Sequence, residues 1–288
     1  MITGTMFEIS MSNQNTMKTK ILITGIILTI IFSAFSSMEQ EATAQITETN
    51  TLRNVEVNAF KPGEVLEYRL HYGVINAGTA KLEVNKLDKK VEGREVFHIV
   101  GTGQSKGAFD WFFKVRDRYE TVFDAEGAFP WVFKRDVNEG GYKIKQDYKF
   151  IQKQNKVINE KGVEFKAPEG IQDMLSSFYY ARTIDFSKAK EGEIFTIWSF
   201  VDDEIWPLKI KFAGKETVKV EGKKYRALKF HPVIQTGRLF KNETDVSVWI
   251  SDDINKIPLL AEGKVLVGSV KMELTSYKGL VGPISKVD

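Results

Sequence analysis

The chain has 288 residues, of which 42% are hydrophobic, and its 41 basic side chains nearly balance its 38 acidic ones. It contains no cysteine, which excludes disulfides, thiol nucleophiles and cysteine metal sites. The balanced charge and the lack of a basic cluster with interleaved aromatic residues argue against a nucleic-acid partner.

The first 44 residues form an upstream extension followed by a leader-like segment. Lys18 and Lys20 precede an uncharged run over 21–38, and small residues follow at Ala42 and Ala44. This order is typical of a secretory signal peptide, and it predicts export to the periplasm with cleavage after Ala44. The alternative is a retained membrane anchor, because the run is at the lower edge of the roughly 17–25 residues that span a bilayer. If the leader is cleaved, the protein is not stably embedded in a membrane.

The rest of the chain reads as one unit. Residues 45–59 are polar and predict a mobile lead-in, whereas 60–288 contain no linker and predict a single β-rich domain. In the first predicted strand Leu66, Tyr68 and Leu70 alternate with polar residues, which is the pattern of a half-buried strand. The residues over 76–78 are the predicted turn to the next strand.

Strand and turn signals then alternate to the end of the chain. We count about fourteen strands, with turn signals recurring every ~8–12 residues, which is the all-β pattern. The spacing of apolar residues over 108–115 predicts one short helical turn. The helix that stands out is over about 171–183, where the following residues share one face: Ile171, Met174, Leu175, Phe178, Tyr179 and Arg182. Ser176 and Ser177 fall off this face and are expected at the helix surface.

These elements predict an all-β, mainly antiparallel fold. The two architectures left open are a large open barrel and a strongly curved sheet, each with one packed helix near the middle of the chain. Eight or more strands that close on themselves can enclose a ligand cavity.

Several motifs resemble one known family of exported bacterial proteins. They occur in the same order between about residues 60 and 278: Gly63-Glu64-x-Leu66-x-Tyr68, Asn76-Ala77-Gly78-Thr79-Ala80, Val115 to Glu120, Gln172 to Arg182, Val248-Trp249-Ile250, Ile257-Pro258 and Leu274 to Tyr277. The chain is similar to domain of unknown function 3108 in these motifs. The resemblance implies an exported, mostly β protein, and it implies no catalytic residues.

The usual signatures of enzyme and metal sites do not occur. His71, His98 and His231 lie in three separate predicted strands without ligand spacing, so the sequence predicts no metal site. No glycine-rich nucleotide fingerprint is present, and no cofactor is predicted. An enzyme is therefore the least favoured class, although the sequence does not decide the question.

Aromatic residues are abundant and allow two interpretations. Trp111, Trp131 and Trp198 belong to a set of aromatic side chains that either fill a core or line an apolar pocket.

Charged residues on apparently buried faces also allow two interpretations. Asp117 and Tyr119 share one strand face, Trp131 and Arg135 share a face of the next strand, and Arg182 lies on the apolar helix face. Either Asp117 or Tyr119 is expected opposite Arg135, which brings the carboxylate and guanidinium within reach. They form either an internal ion pair or the polar end of a ligand pocket.

Two functions remain open. The first is a non-enzymatic periplasmic binding protein or carrier for a lipid or another apolar or amphiphilic envelope component. Its predicted ligand-binding residues are Asp117, Tyr119, Trp131, Arg135, Arg182, Trp111 and Trp198. The second is a scaffold that binds an envelope protein through an exposed groove or sheet edge.

Overall fold

A computed structural model describes residues 51–233, 242, 244–264 and 269–287. The predicted leader lies outside the described residues. The strands within the described part are β1 (Val65–Tyr72), β2 (Ile75–Val91), β3 (Arg94–Ser105), β4 (Val115–Asp124), β5 (Pro130–Glu139), β6 (Tyr142–Ile151), β7 (Lys156–Ile158), β8 (Glu164–Lys166), β9 (Ile194–Val201), β10 (Glu204–Val220), β11 (Lys223–Pro232), β12 (Val246–Ser251), β13 (Pro258–Lys264), β14 (Ser269–Lys278) and β15 (Lys286–Val287). The helices are α1 (Gly107–Phe112) and α2 (Met174–Ala181), and a 3₁₀ turn covers Gln152–Gln154.

All of these strands belong to one open, strongly curved antiparallel sheet, which confirms the predicted fold class. The order across the sheet is β8-β7-β6-β5-β4-β3-β2-β1-β14-β13-β12-β11-β10-β9, and β15 pairs with β11. The chain therefore makes two meanders, and the pairing of β1 with β14 joins them. Helix α2 lies between the meanders in sequence.

The concave face of the sheet holds the main core. Alternate residues of neighbouring strands point to it, among them Tyr68, Ile99, Tyr119 and Phe133, each at most 3% exposed. Because side chains alternate across a strand, the polar residues between them face outward. The apolar alternation in the sequence thus positions the concave face on which α2 packs.

Helix α2 begins with a reciprocal cap. The Asp173 carboxylate accepts hydrogen bonds from the backbone N–H of Leu175 and Ser176, and the Ser176 hydroxyl accepts one from the Asp173 N–H. Ser177 donates to the carbonyl oxygen of Asp173 at 2.6 Å. Ser176 and Ser177 are both buried, so their expected surface position was wrong: the start of the helix is covered by β4 and β9, whose Thr121 and Ser199 hydrogen-bond to Asp173 and Ser177.

The residues before α2 connect the edge strand β9 to the loop between β4 and β5. Gln172 pairs in parallel with Ser199 of the edge strand β9, and its side-chain amide donates to the carbonyl oxygen of Ala128 at 2.9 Å. The Tyr148 and Phe200 rings, from β6 and β9, also meet edge to face at 5.0 Å. The curved sheet is therefore nearly closed on itself around α2.

Two local expectations differ from the structure. The β1–β2 turn lies at Gly73 and Val74 instead of 76–78, because Gly73 supplies the positive φ of 56° that the tight turn requires. Part of the expected lead-in also packs on the core, where Ala59 is fully buried and the Arg53 guanidinium donates to the carbonyl oxygens of Gly127 and Ala128. Neither helix of the described part of the chain is long and apolar enough to cross a membrane.

Candidate functional site

An apolar cavity of about 220 Å³ lies between the concave face of the sheet and α2. Both meanders and the helix supply its wall. Typical wall residues are Leu70, Phe178, Ile197, Leu208, Phe230 and Met272. The cavity is larger than the roughly 150 Å³ that admits a benzene ring. Its wall can therefore contact a substantial apolar group.

One end of the cavity is framed by the ends of the strands. Strands that run antiparallel bring the last residue of one strand next to the first residue of its neighbour. The wall residues at this end are Tyr72, Ala77, Phe109, Val115, Pro232 and Val270. We call this end the mouth. Phe109 reaches it from α1, which places that helix at the mouth.

The opposite end is built around a buried ion pair. Arg182, the residue after α2, forms this pair with Glu64. Arg182 is 2% exposed, and Glu64 has no exposed surface. Arg182 also donates through Nε to the carbonyl oxygen of Asn255 at 2.9 Å and through Nη2 to that of Ala59 at 3.0 Å. Lys256 lies on the cavity wall beside it, and burial lowers the pKa of this lysine.

Asp117 and Glu139 form a carboxyl pair on the concave face toward the mouth. Asp117 lies on the cavity wall, and Glu139 pairs with the mouth residue Val115 across β4 and β5. Burial raises the pKa of Asp117 to about 6. Burial, together with the charge of Asp117, raises the pKa of Glu139 to about 8. The two carboxyl groups therefore keep their protons to a higher pH than exposed carboxyl groups, because burial and a neighbouring like charge both disfavour the ionised form.

Arg135 occupies one of the two expected registers. It lies opposite Tyr119 in the β4–β5 pair. Its Nη1 donates to Asp202 Oδ1 at 2.9 Å, so the ion pair expected with Asp117 is replaced by one with Asp202. The β9–β10 turn brings Asp202 to Arg135 on the concave face. The sequence of β4 and β5 alone does not predict this contact.

Trp131 does not share the concave face with Arg135. Val122 of β4 pairs with Val132, and the next residue, Phe123, pairs with Pro130. Trp131 lies between the two partners and is therefore the additional residue of a bulge. Its ring packs instead with Val122 and Val132 on the outer face, and its indole N–H donates to Asp124 at 3.0 Å. The expected shared face was therefore wrong at this residue.

The other predicted tryptophans also lie away from the cavity wall. Trp111 of α1 is 92% exposed, because only Phe109 of that helix points inward. Trp198 is half-buried on β9, where it packs against the main core. Of the seven predicted residues the cavity brings together Asp117, Tyr119 and Arg182, and ligand contact by all seven stays a prediction.

Two features of the cavity were missed in the sequence. A Cβ atom at Gly101 of β3 would meet Leu175 of α2 at 3.5 Å, and Gly103 lies on the cavity wall, where a Cβ atom would have no neighbour nearer than 3.9 Å. Their separation by one residue was the available signal, since it puts both on one strand face. The position of Glu139 on the concave face was also not predicted, although it continues the alternation of Arg135 and Val137 at the end of β5.

No metal site forms in the part of the chain that the structure describes. No three acidic or histidine side chains there converge on one point. His98 instead contacts Glu120 at 2.7 Å, and His71 contacts Glu273 at 3.2 Å.

Two solved structures are similar to the chain at low sequence identity. A β-barrel-like protein of domain of unknown function DUF1849 from Brucella abortus is 10% identical, with a TM-score of 0.49, and the match covers 83% of this chain and all of that one. A DUF1089 family protein from Pseudomonas aeruginosa is 8% identical, with a TM-score of 0.37, and the match covers 62% of this chain and 87% of that one.

No curated protein matches the chain. A family model matches residues 67–275, which is most of the described sheet and covers the motifs noted in the sequence except the start of the first and the end of the last. The chain therefore belongs to DUF3108, a family of proteins of unknown function.

Proposed function

We propose that this protein binds an apolar or amphiphilic small molecule, such as a lipid, in the cavity between the sheet and α2, and that it does so as a non-enzymatic carrier. The cavity itself is the observation that carries this proposal. Its wall is mainly aliphatic and aromatic, and burying apolar ligand surface stabilises a complex by ~25 cal/mol per Å².

The elements around the cavity are fixed in a way that keeps the cavity open without a ligand. The start of α2 is fixed by the Asp173 cap, and the end is fixed by the bonds of Arg182 to Glu64 and two carbonyl groups. A helix held at both ends cannot readily move into the space beside it. Gly103 leaves the facing strand without a side chain at this level.

The charges on the wall favour a ligand that is mostly apolar. Glu64 neutralises Arg182, and the Lys256 ammonium donates to the carbonyl oxygen of Arg182 at 3.1 Å, so neither of these wall cations is free to bind an anionic headgroup without losing its partner. Leaving a buried charge unpaired costs several kcal/mol. Asp117 on the wall can accept a hydrogen bond from a hydroxyl or ammonium group near the mouth.

The alternative of an envelope scaffold has less support at the sheet edges. Strand β8 is only three residues long, and Gln172 already occupies part of the free side of β9. A long exposed strand edge is what β-strand addition requires. We also propose that the protein reaches the periplasm, on the leader pattern with its expected cleavage after Ala44.

Native mass spectrometry of protein isolated from the periplasm of its own cells tests the binding proposal. The wild type is expected to retain a lipid-sized mass. Gly103→Leu places a branched side chain in the cavity, and it should lower the bound fraction. Asn85→Leu adds the same side chain at an exposed position of β2 and should leave the bound fraction unchanged. A wild type free of bound mass that also binds no offered lipid would contradict the proposal.

A further inference from the structure

Four large apolar side chains are exposed where the mouth opens. Val74 is 99% exposed in the β1–β2 turn and Ile75 is 52% exposed at the start of β2, and Trp111 is 92% and Phe112 65% exposed in α1. We call this set the apolar rim. Single exposed apolar residues are ordinary, but adjacent ones on one edge of a cavity indicate a surface that meets a partner.

The two parts of the rim are held next to each other. The backbone N–H of Lys106, just before α1, donates to the carbonyl oxygen of Ala77 in β2 at 3.0 Å. On the inner side of the same two segments, Phe109 and Tyr72 form part of the cavity wall. The rim is thus the outward continuation of the apolar cavity surface.

The charge around the rim is positive. Lys106 and Lys114 flank α1, both are exposed, and neither joins an ion pair within the described ranges. The one acidic side chain of α1, Asp110, is neutralised by Arg116 at 2.7 Å. Exposed apolar side chains, including a tryptophan, beside unpaired lysines are the composition that binds the surface of an anionic bilayer.

We propose that the apolar rim docks on the surface of a lipid bilayer that contains anionic headgroups, so that the mouth of the cavity faces the membrane. The proposal deepens the proposed lipid-binding function and rests on it. Docking in this orientation lets an apolar ligand pass between bilayer and cavity without crossing water, because rim and wall form one continuous apolar path.

Vesicle flotation tests the proposal with phosphatidylcholine vesicles that contain or lack phosphatidylglycerol. The wild type is expected to float with the anionic vesicles. Val74→Ser with Trp111→Ser should weaken binding by at least about tenfold, because membrane binding scales with the buried apolar area. Lys106→Gln with Lys114→Gln should weaken it by roughly thirtyfold, since each basic residue near an anionic surface contributes on the order of 1 kcal/mol.

The control and the readouts separate this proposal from the ligand proposal. Ile254→Ser removes an apolar side chain of 48% exposure in the β12–β13 turn, at the opposite end of the strands, and should leave flotation unchanged. Native mass spectrometry on every variant reports the cavity ligand independently. A wild type that floats with the vesicles but carries no bound ligand mass would overturn the cavity function and not the rim docking.

Three outcomes would overturn rim docking. The first is flotation that the rim variants do not weaken. The second is a wild type that stays in solution with both kinds of vesicle. The third is a wild-type dimer in sedimentation that the rim variants convert to monomer without any change in flotation, which would assign the rim to a second copy of the chain.

Discussion

Arg182 and Glu64, 118 residues apart in sequence, form a buried bidentate ion pair in which Arg182 Nη1 and Nη2 donate to the two Glu64 carboxylate oxygens at 2.6 and 2.7 Å. The pair joins the end of α2 to the residue just before β1. It therefore fixes the closed end of the cavity.

Breaking this pair on one side should destabilise the protein strongly. Arg182→Met leaves the Glu64 carboxylate buried and unpaired, and we expect the free energy of unfolding to fall by about 3–5 kcal/mol. The double variant with Glu64→Leu should recover much of this loss, because no charge is then left unpaired. Urea unfolding measures both. A double variant no more stable than Arg182→Met would show that the unpaired Glu64 carboxylate is not the source of the loss.

The carboxyl pair of Asp117 and Glu139 predicts a falling stability as the pH rises. Burial raises the pKa of Asp117 to about 6 and that of Glu139 to about 8. Between the usual pKa of each group and its raised pKa, the folded state therefore binds more protons than the unfolded state. The stability that this proton uptake contributes is full below about pH 4 and is lost as the pH rises through these values.

The neutral variant Glu139→Gln should flatten this dependence and be more stable than the wild type above about pH 8, because it removes the buried charge. Glu160→Gln changes an exposed carboxyl group and serves as the control. Urea unfolding at about pH 5, 7 and 9 gives the slopes. Equal slopes for the wild type and Glu139→Gln would show that this carboxyl group titrates alike in both states.

The cap of α2 should contribute measurably to stability. Asp173→Ala removes the acceptor for two backbone N–H groups and for the Thr121 hydroxyl, which donates to it at 2.5 Å. Loss of a cap costs about 0.5–2 kcal/mol, and unpaired buried donors add to this. Asp173→Asn keeps a capping oxygen and should lose less. Thermal unfolding that ranks Asn at or below Ala would contradict the capping role.

The leader should be absent from the exported protein. Amino-terminal sequencing of the periplasmic form is expected to begin at or near Gln45, because Ala42-Thr43-Ala44 has the small residues that signal peptidase requires. Recovery of the intact leader in the membrane fraction would favour the retained anchor.

Local pattern was sufficient for most of the fold. The alternation at Leu66, Tyr68 and Leu70 identified β1, and the spacing from Ile171 to Arg182 identified the segment of α2. Both signals depend only on the period of the element and on which side is apolar. The same rule limited the register of β4 against β5 to two possibilities, and the structure has the one with Tyr119 opposite Arg135.

The site depended on contacts between distant segments, and this is where local pattern was insufficient. The partner of Arg182 lies before β1, and the partner of Arg135 lies in the β9–β10 turn. A bulge moved Trp131 to the outer face, since one additional residue reverses the alternation. Which aromatic residues line a cavity depends on how far the sheet curves, and strand patterns do not contain that curvature.

Anomalous diffraction from crystals grown with a long-chain alcohol brominated near its tail end tests the cavity function most directly. Binding to the proposed site predicts bromine density inside the cavity, between Phe178 of α2 and Met272 of β14, which both lie on its wall. The same crystals of Gly103→Leu should show weaker density there. Bromine confined to the outer surface, with an empty cavity at a ligand concentration that saturates binding in solution, would contradict the proposal that the cavity is the binding site.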